Sequence, residues 1–323
     1  MRRLLAALAV LAVGALAPAC ASAQPILWGA MVDGDAYGAG HTDPPWDMGA
    51  QDIFEAHAGK RASIIHYGQA WYQGSAAQPF YPGPAAAVAA RGAVPFLDWN
   101  PWDLYAGGGP NQPKFRLAQI NAGKFDAYIK SWAKGAALWG GRILVRPMHE
   151  MNGNWYPWSE RANGNRSGEY VKAWRRIVSL ARAQGATNIE WVWCPNAVYS
   201  GSQPLSQVFP GQSYVDWTAI DAYNFGAPWT ALHTAVNPTY QQIAALAPSR
   251  PFMIAETGSA ETGGSKAAWF DDGLNDVANG DFPLLRAFVY FNVDVERPWR
   301  IESSPASQAA FAAGIARPEF VSP

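Results

Sequence analysis

One stretch of the sequence brings an acid, an imidazole, an amide and two indoles together. His149, Glu150, Asn152, Trp155 and Trp158 fall within ten residues, directly after a short apolar run that is typical of a buried strand. Burying a carboxylate is unfavourable unless it is paired, so such a cluster at a strand end is typical of a functional site. The stretch lacks the second histidine of the zinc-protease motif, which argues against that class of enzyme.

A second glutamate occupies a matching position later in the chain. Glu256 ends the apolar run Phe-Met-Ile-Ala, as Glu150 ends its own run. Two carboxyl groups facing each other across a cleft are what glycoside hydrolysis requires, because one protonates the leaving oxygen while the other attacks or activates water. Asp98, Asp221 and Asp294 also follow apolar runs, so the pairing of the two glutamates is a prediction that position alone does not establish.

Tryptophan is frequent, with 16 residues in 323. An indole offers a flat apolar face on which a sugar ring can stack. The tryptophans at or just after predicted strand ends are Trp71, Trp99, Trp102, Trp155, Trp158, Trp229 and Trp299. We expect Trp155 and at least two others of this group, apart from Trp229, to line the cleft. Trp191, Trp193 and Trp217 lie inside predicted strands and are expected in the core.

Alternating apolar runs and helical patterns must position these residues. The predicted strands are Ile26–Val32, Ala62–Tyr67, Ala93–Trp99, Ile143–Met148, Ile189–Cys194, Trp217–Tyr223, Phe252–Ala255 and Ala287–Asn292. The predicted helices are Asp52–Ala58, Phe115–Leu138 in two pieces around Gly123, Ser167–Gln184, Pro238–Leu246 and Lys266–Ala278. The strands are almost continuously apolar, which indicates that both of their faces are covered.

Eight strand–helix units predict an α/β fold, a (β/α)₈ TIM barrel in a single domain over residues 24–323. An open, doubly wound sheet is the alternative, but the chain has no glycine-rich dinucleotide loop. The segment Gly107–Pro113 is interpreted as a long loop and not as a domain boundary. In a barrel, Glu150 ends the fourth strand and Glu256 the seventh, so both reach the face where active sites occur.

The first 23 residues are predicted to be a signal peptide. Two arginines, a leucine- and alanine-rich stretch and an Ala-Ser-Ala site before Gln24 have the required order. We expect export to the periplasm or the extracellular medium. Lipidation at Cys20 is the alternative. After cleavage Cys194 would be the only cysteine, which excludes an internal disulfide and a cysteine metal site, and we expect it to be a small buried residue.

The charge balance excludes several classes of partner. The net charge is −1 and no basic stripe is visible, which argues against nucleic acid and anionic membranes. The mature chain has no stretch long and apolar enough to predict a membrane span. The expected partner is a polysaccharide or oligosaccharide substrate, and the chain is expected to be a monomer.

The two glutamate motifs carry a resemblance to a known family. RPMHEMNGNWYPW (146–158) and FMIAETG (252–258) resemble glycoside hydrolase family 26, and the resemblance covers nearly the whole mature chain. It implies a (β/α)₈ barrel that hydrolyses a β-linked polysaccharide with retention of configuration. It also implies that no metal or organic cofactor is needed. Known substrates of the family are β-1,4-mannan, mixed-linkage β-1,3-1,4-glucan and β-1,3-xylan.

The resemblance also implies individual roles. Glu150 would be the acid/base, Glu256 the nucleophile, and Tyr223 a hydrogen-bond donor to the nucleophile. The residues implied or expected to bind substrate at the site are His66, Arg146, His149, Trp155, Trp158 and Tyr223. His149 replaces the asparagine that most of the clan carries, and Phe291 stands where many members have tryptophan. The run after the acid/base is less bulky than in mannanases and closer to the glucanase branch.

Side chains of a strand alternate between its two faces, which puts Arg146 and Glu150 on one face and His149 on the other. Both His149 and Glu150 are expected to reach the site, so the fourth strand must bulge or end at this point. Arg146 would then point into the barrel, where a buried arginine must be paired. Glu256 is the expected partner. Asp98 or Asp221 is the alternative.

Two other functions remain open. An accessory hydrolase that processes the producer's own exopolysaccharide would use the same residues. A catalytically inactive, carbohydrate-binding barrel would keep the tryptophans without the activity. For the retaining hydrolase we predict that the carboxyl groups of Glu150 and Glu256 lie about 5–5.5 Å apart.

Overall fold

The computed structural model describes residues 24–107 and 109–323. They form a closed barrel of parallel strands surrounded by helices, which confirms the predicted single-domain (β/α)₈ fold. The predicted signal peptide, residues 1–23, and the alternative lipidation site at Cys20 lie outside the described residues. In the described part of the chain, every helix is too short or too polar to cross a membrane.

Ten strands form one continuous sheet in the described residues. They are β1 (Ile26–Val32), β2 (Ile64–Gln73), β3 (Ala76–Ala77), β4 (Val94–Asp103), β5 (Ile143–Arg146), β6 (Ile189–Trp193), β7 (Trp217–Asn224), β8 (Phe252–Ser259), β9 (Leu285–Asn292) and β10 (Phe320–Val321). β1 pairs in parallel with both β2 and β9, which closes the barrel. β3 extends the sheet as an antiparallel partner of β2, and β10 lies beside β1.

The helices of the described residues pack around the outside of the barrel. They are α1 (Met48–Ala58), α2 (Pro82–Ala90), α3 (Leu117–Asn121), α4 (Asp126–Trp139), α5 (Glu169–Arg182), α6 (Leu205–Val208), α7 (Leu232–Leu246), α8 (Lys266–Asn279) and α9 (Pro305–Ile315). α3 and α4 are the predicted two pieces around Gly123. α7 begins before its predicted start at Pro238, because Leu232 and Val236 bury apolar side chains and outweigh the helix-breaking effect of the proline.

The sequence did not predict α2 and α9. Both are alanine-rich and bury only part of their length, so neither has a strong amphipathic period. Their starts follow local rules instead, since each has a proline in its first turn, and Ser304 caps α9 by accepting a hydrogen bond from the Ser307 N–H.

All eight predicted barrel strands are present, but their ends differ from prediction. β2, β4 and β8 continue past the apolar runs to Gln73, Asp103 and Ser259. The prediction ended too early because many residues of these strand ends are polar or aromatic and do not continue the apolar run. β5 is shorter than predicted and ends at Arg146 instead of Met148.

Two apolar layers hold the barrel together. The interior layer comes from alternate strand residues such as Ile64, Phe96 and Leu144, whereas the outer layer lies between the strands and the helices. The core tryptophans are buried as predicted. Trp191 and Trp193 belong to the outer layer and Trp217 to the interior.

Candidate active site

A layer of polar side chains, called the polar floor below, lies directly above the apolar interior layer of the barrel. Side chains at positions i and i+2 of a strand share a face, so the residues two positions after the interior layer also point inward. They are His66 (β2), Asp98 (β4), Arg146 (β5), Cys194 directly after β6, and Asp221 (β7). All five are buried. The barrel therefore changes from apolar to charged at one level, on five neighbouring strands.

Arg146 is the centre of this floor. Its guanidinium donates to Asp98 from Nε (2.5 Å) and Nη2 (2.7 Å), to Asp221 from Nη1 (2.7 Å), and to Glu256 from Nη2. Arg146 thus binds its predicted partner, Glu256, and both alternatives, Asp98 and Asp221, at the same time. Arg146 is fully buried and does not line the cleft, so the predicted sugar contact of this residue is wrong. The positive charge of Arg146 influences the site through the three carboxyl groups that it binds.

The other polar groups of the floor interact with one another and with the positive charge of Arg146. Cys194 is buried in the apolar interior layer as expected, and its thiol also donates to Asp221 Oδ1 (3.2 Å). Burial raises the pKa of Asp221 well above its usual range in spite of the nearby Arg146 charge. Burial also acts on Asp98, but Arg146 and then His66 outweigh it and hold the pKa of that carboxyl well below its usual range.

Glu256 reaches the cleft through an irregularity in β8. Ile220 of β7 pairs with Ile254, but the next residue, Asp221, pairs with Glu256, so β8 carries one extra residue at this point. Strict alternation would send Glu256 outward together with Ile254, which packs in the outer layer. The bulge turns the carboxyl group inward. The sequence pattern gave no signal for this feature.

The contacts of Glu256 favour its ionised form. One oxygen accepts from Arg146, and the other accepts from the Tyr223 hydroxyl at 2.6 Å, which is the hydrogen bond that the sequence predicted. Burial alone would raise the pKa of Glu256. The positive charge of Arg146, followed by the electrostatic effect of His66, outweighs burial and holds the pKa below its usual range.

Glu150 lies just beyond the end of β5, where the backbone turns sharply. Met148 and Glu150 have positive φ angles of 53° and 52°, which non-glycine residues rarely adopt. The Glu150 N–H donates to the Cys194 carbonyl (2.8 Å), which fixes the turn against the end of β6. Because the strand has ended, His149 and Glu150 both reach the cleft, as the alternation argument required.

The surroundings of Glu150 favour its protonated form. Burial, and then the negative charge of Glu256, raises the pKa of Glu150 to about 7. The two oxygens of Glu150 accept from the Trp155 indole N–H (2.6 Å) and the Asn196 amide (2.8 Å), and these hydrogen bonds lower the pKa but do not outweigh burial and the charge of Glu256. The two glutamates therefore have opposite proton affinities in one cleft.

Sequence reasoning missed Asn196. This residue follows β6 and is held by Asn152, whose side chain bonds both the N–H (2.9 Å) and the carbonyl (2.8 Å) of Asn196. Asn152 was visible in the motif around Glu150, but its partner lies 44 positions away. Only a structure brings the two together.

The cleft has two lobes that meet at the glutamates. The first lobe, with a volume of about 350 Å³, includes Trp46, His66, Asp98, Trp102 and His149 among its lining residues. The second lobe, of about 540 Å³, is lined by Glu150, Trp155, Asn196, Tyr223, Phe225, Val295, Glu296 and Trp299 together with three residues shared with the first lobe. The shared residues are Tyr156, Glu256 and Phe291.

The two predicted histidines both line the first lobe. His66 Nε2 lies 3.1 Å from Asp98 Oδ1. The His66 ring stacks on the ring of Phe96, with 4.4 Å between the centroids. Burial, and then the Arg146 charge, lowers the pKa of His149 to about 4, so this imidazole is neutral at neutral pH. A neutral imidazole can both donate to and accept from a sugar hydroxyl.

The predicted tryptophan lining is present in part. Trp155 and Trp299 line the second lobe and Trp102 the first, which confirms the prediction of Trp155 with at least two others. Trp71 and Trp99 were wrong candidates. They pack outward against the helices, where Trp99 stacks on Trp132 of α4 at 4.0 Å.

The predicted sugar contact of Trp158 is also wrong. Trp158 is fully buried behind Tyr156, with the rings nearly parallel and their centroids 4.5 Å apart. Its indole N–H donates to the His149 carbonyl (2.6 Å). Trp158 therefore supports the turn that carries His149, and Tyr156, which the sequence analysis did not single out, occupies the cleft wall.

The segment that carries Trp299 is fixed by a buried lysine. Lys266 Nζ donates to the carbonyls of Pro298 (2.8 Å), Trp299 (2.9 Å) and Arg300 (2.7 Å), and to the Ser303 hydroxyl (2.8 Å). Trp299 in turn packs against Tyr223, the donor to Glu256, with the centroids 5.0 Å apart. The second lobe thus has a wall that is tied to the start of α8.

Two groups of ligand-type side chains meet at Glu256. His66 and Asp98 form one group with it, and His149 and Asp221 form the other, each with its ligand atoms within 4.8 Å. The Arg146 guanidinium is already bound to all three carboxylates of these groups. A metal ion would have to displace this arginine.

The arrangement has the parts needed for double displacement at a sugar. Glu256 is held ionised and can attack a carbon centre, whereas Glu150 retains a proton near neutral pH and can give it to a leaving oxygen. Aromatic rings line the cleft on both sides of this pair.

The chain matches known proteins over its barrel. Residues 128–278 match glycosyl hydrolase family 26. The chain is 35% identical over 276 residues to Endoglucanase H of Acetivibrio thermocellus, a match that covers 81% of this chain and 28% of that protein. It is 30% identical over 131 residues to a mannan endo-1,4-beta-mannosidase of Bacillus subtilis, covering 39% of this chain and 33% of that protein. The matches span about a third or less of these curated relatives.

Solved structures share the fold at low sequence identity. The catalytic domain of a GH26 endo-beta-1,4-mannanase from Bacillus sp. JAMB-750 has a TM-score of 0.69 at 19% identity, covering 92% of this chain and 87% of that one. The GH26 beta-mannanase BoMan26A from Bacteroides ovatus has a TM-score of 0.66 at 18% identity, covering 92% and 90%. Glu150 and Glu256 both fall inside the segment that matches glycosyl hydrolase family 26, and the barrel shares its fold with these enzymes, which confirms the resemblance that the two glutamate motifs indicated.

Proposed function

We propose that this protein is an exported, retaining endo-β-glycanase. The observation that carries the proposal is the pair of glutamates with opposite proton affinities in one cleft. Glu256 is bound by Arg146 and Tyr223, which favour the carboxylate, and Glu150 is buried beside that negative charge, which favours the acid. The export pattern of residues 1–23 supports an enzyme that meets its polysaccharide outside the cytoplasm.

The proposed reaction has two steps. In the first, Glu256 attacks the anomeric carbon and Glu150 gives its proton to the glycosidic oxygen, so that the carbon–oxygen bond breaks and the leaving sugar departs. In the second, Glu150 takes a proton from water, whose oxygen attacks the same carbon and releases Glu256. The carboxyl separation of about 5–5.5 Å that this mechanism requires stays a prediction.

The shape of the cleft supports cleavage within a chain. The two lobes share only Tyr156, Glu256 and Phe291 among their lining residues. Aromatic side chains line both lobes, which supports binding of a polysaccharide on both sides of the scissile bond. An exo-acting enzyme would need one of the two lobes to be closed.

A β-glucan is the proposed substrate. The relative that matches 81% of this chain is named an endoglucanase, whereas the relatives named mannan endo-1,4-beta-mannosidases match 25–41% of it. The short run after Glu150 agrees with this choice, because it resembles the glucanase branch more than the mannanase branch. Mixed-linkage β-1,3-1,4-glucan is therefore the first polysaccharide to test.

A reducing-sugar assay on four polysaccharides tests the proposal. We expect mixed-linkage β-glucan to be hydrolysed at least about tenfold faster than galactomannan, β-1,3-xylan or cellulose, since loss of a matched polar contact in a site commonly costs about 1–3 kcal/mol. Faster hydrolysis of galactomannan would overturn the glucan assignment. If all four stayed intact but bound, the inactive, carbohydrate-binding barrel would be favoured, and hydrolysis of the producer's own exopolysaccharide alone would favour the accessory hydrolase.

The proton states predict a bell-shaped pH profile. The active form has Glu256 ionised and Glu150 protonated. Because the pKa of Glu256 is lowered, kcat/KM should fall on the acid side only below the usual range of a glutamate. Because the pKa of Glu150 is raised to about 7, kcat/KM should fall again as the pH rises through about 7. Initial rates on soluble β-glucan measure both limbs, and a rate that increased through pH 7 would reverse the assigned roles.

A further inference from the structure

The two lobes of the cleft are not equivalent, and their lining residues indicate the direction in which a sugar chain lies. The proposed mechanism places the glycone side of the substrate, which carries the attacked anomeric carbon, in the first lobe, and the leaving part of the chain in the second. We propose that Trp46 forms an outer stacking platform for the glycone side in the first lobe. This inference rests on the proposed glycanase function and adds a sugar-binding residue to it.

The positions of the glutamates give the orientation. Glu256 lines both lobes, whereas Glu150 lines only the second. The acid must reach the oxygen that departs with the leaving sugar, so that sugar lies on the side of Glu150. The sugar attacked by Glu256 then extends into the lobe that Glu150 does not reach, beside His66 and His149.

Trp46 stands at the outer part of the first lobe. Its side chain is 55% exposed, although an indole of this size gains considerable free energy from burial. Its ring lies 5.8 Å from the ring of Tyr67 at an interplanar angle of 89°, so the two rings are perpendicular and not stacked face to face. Tyr81 and Leu104 line the same lobe and are also exposed. An apolar rim that continues an active-site cleft is typical of a surface that the substrate covers.

Contacts within the loop that carries Trp46 fix the conformation of this loop. The Gly34 N–H donates to Asp43 Oδ1 (2.9 Å), and His41 Nδ1 lies 2.6 Å from Asp47 Oδ2. Gly34 also lies so close to the Thr42 carbonyl that a Cβ at this position would be 2.0 Å from its oxygen. The exposed indole is therefore held in place before a ligand arrives, which reduces the entropy lost on binding.

Aryl β-glycosides of increasing length separate this inference from the proposed function. In these substrates the aryl group is the leaving part, so every added sugar extends the glycone side. For the parent protein we expect kcat/KM to increase stepwise from aryl β-glucoside to aryl glycosides of longer β-gluco-oligosaccharides. In Trp46→Ala the increase in kcat/KM at the step that places a sugar on the platform should shrink by about tenfold, relative to the preceding steps measured in the same variant.

Two variants serve as controls. Tyr105→Ala removes an even more exposed aromatic residue that lines neither lobe, and it should leave every step unchanged. Phe225→Ala changes the second lobe, and it should weaken polysaccharide hydrolysis while keeping the length-dependent steps. If Trp46→Ala kept all steps and Phe225→Ala lost one, the orientation would be reversed. If the parent failed on all of these substrates and on β-glucan, the proposed function itself would fail.

Discussion

Glu256→Ala is expected to lower the turnover of β-glucan by at least about 10⁴-fold, because no other carboxylate can reach the anomeric carbon as a nucleophile. Arg146 binds Asp98 and Asp221 at the polar floor, and Glu150 lies on the leaving-group side. The variant should still bind oligosaccharide, since the walls of both lobes remain. Isothermal titration with a mixed-linkage oligosaccharide would measure this binding.

Added azide should restore cleavage in Glu256→Ala. The anion can enter the space left by the carboxylate, next to the positive charge of Arg146, and attack the anomeric carbon while Glu150 protonates the leaving oxygen. One displacement inverts the configuration, so a β-glycoside should give an α-glycosyl azide, which NMR can identify. Glu256→Gln is the matched control, because its amide fills the same space and should prevent rescue. A β-glycosyl azide from Glu256→Ala would contradict the nucleophile assignment.

The sequence predicted the barrel and the glutamate pair because both depend on local patterns. Apolar runs mark the strands, and the C-terminal ends of parallel strands meet on one face, so Glu150 and Glu256 could be brought together without coordinates. Tyr223 was implied by the family resemblance and not by the local pattern. It bonds Glu256 at 2.6 Å.

Other parts of the site depend on geometry that leaves no pattern in the sequence. The extra residue in β8 turns Glu256 inward, although strict alternation would turn it outward. Tyr156 and Trp158 are two residues apart in an irregular segment, where neither period 2 nor period 3.6 applies, so the choice of the buried ring could not be made in advance. Asn196 meets Glu150 only because β5 and β6 are neighbours in the barrel.

The arginine at the floor links these features into one electrostatic arrangement. A single guanidinium is shared by three buried carboxyl groups, of which Asp221 has a raised pKa and Asp98 and Glu256 have lowered ones. The nucleophile is thus kept ionised by a charge that the substrate never touches. The remaining negative charge of Glu256 then helps to raise the pKa of Glu150. Burial is the larger cause of the raised pKa of Glu150, so Arg146 accounts for the ionised state of Glu256 and only indirectly for the proton on Glu150.

Glu150→Ala tests the second half of this arrangement. On β-glucan the rate should fall by about 10²–10⁴-fold, because a sugar alkoxide leaves poorly without a proton. An aryl glycoside with an activated leaving group does not need the acid in the first step. Its covalent intermediate on Glu256 should form and then accumulate, since no base remains to activate water, and mass spectrometry of the quenched protein would detect it.

Azide distinguishes this variant from Glu256→Ala. It should attack the covalent intermediate of Glu150→Ala from the face opposite Glu256, so two displacements give a β-glycosyl azide with retained configuration. The rate of formation of the intermediate should also lose the alkaline limb near pH 7, because the group that produces this limb is gone. Full activity of Glu150→Ala on β-glucan, or an α-glycosyl azide as its product, would show that the roles of the two glutamates have been assigned wrongly.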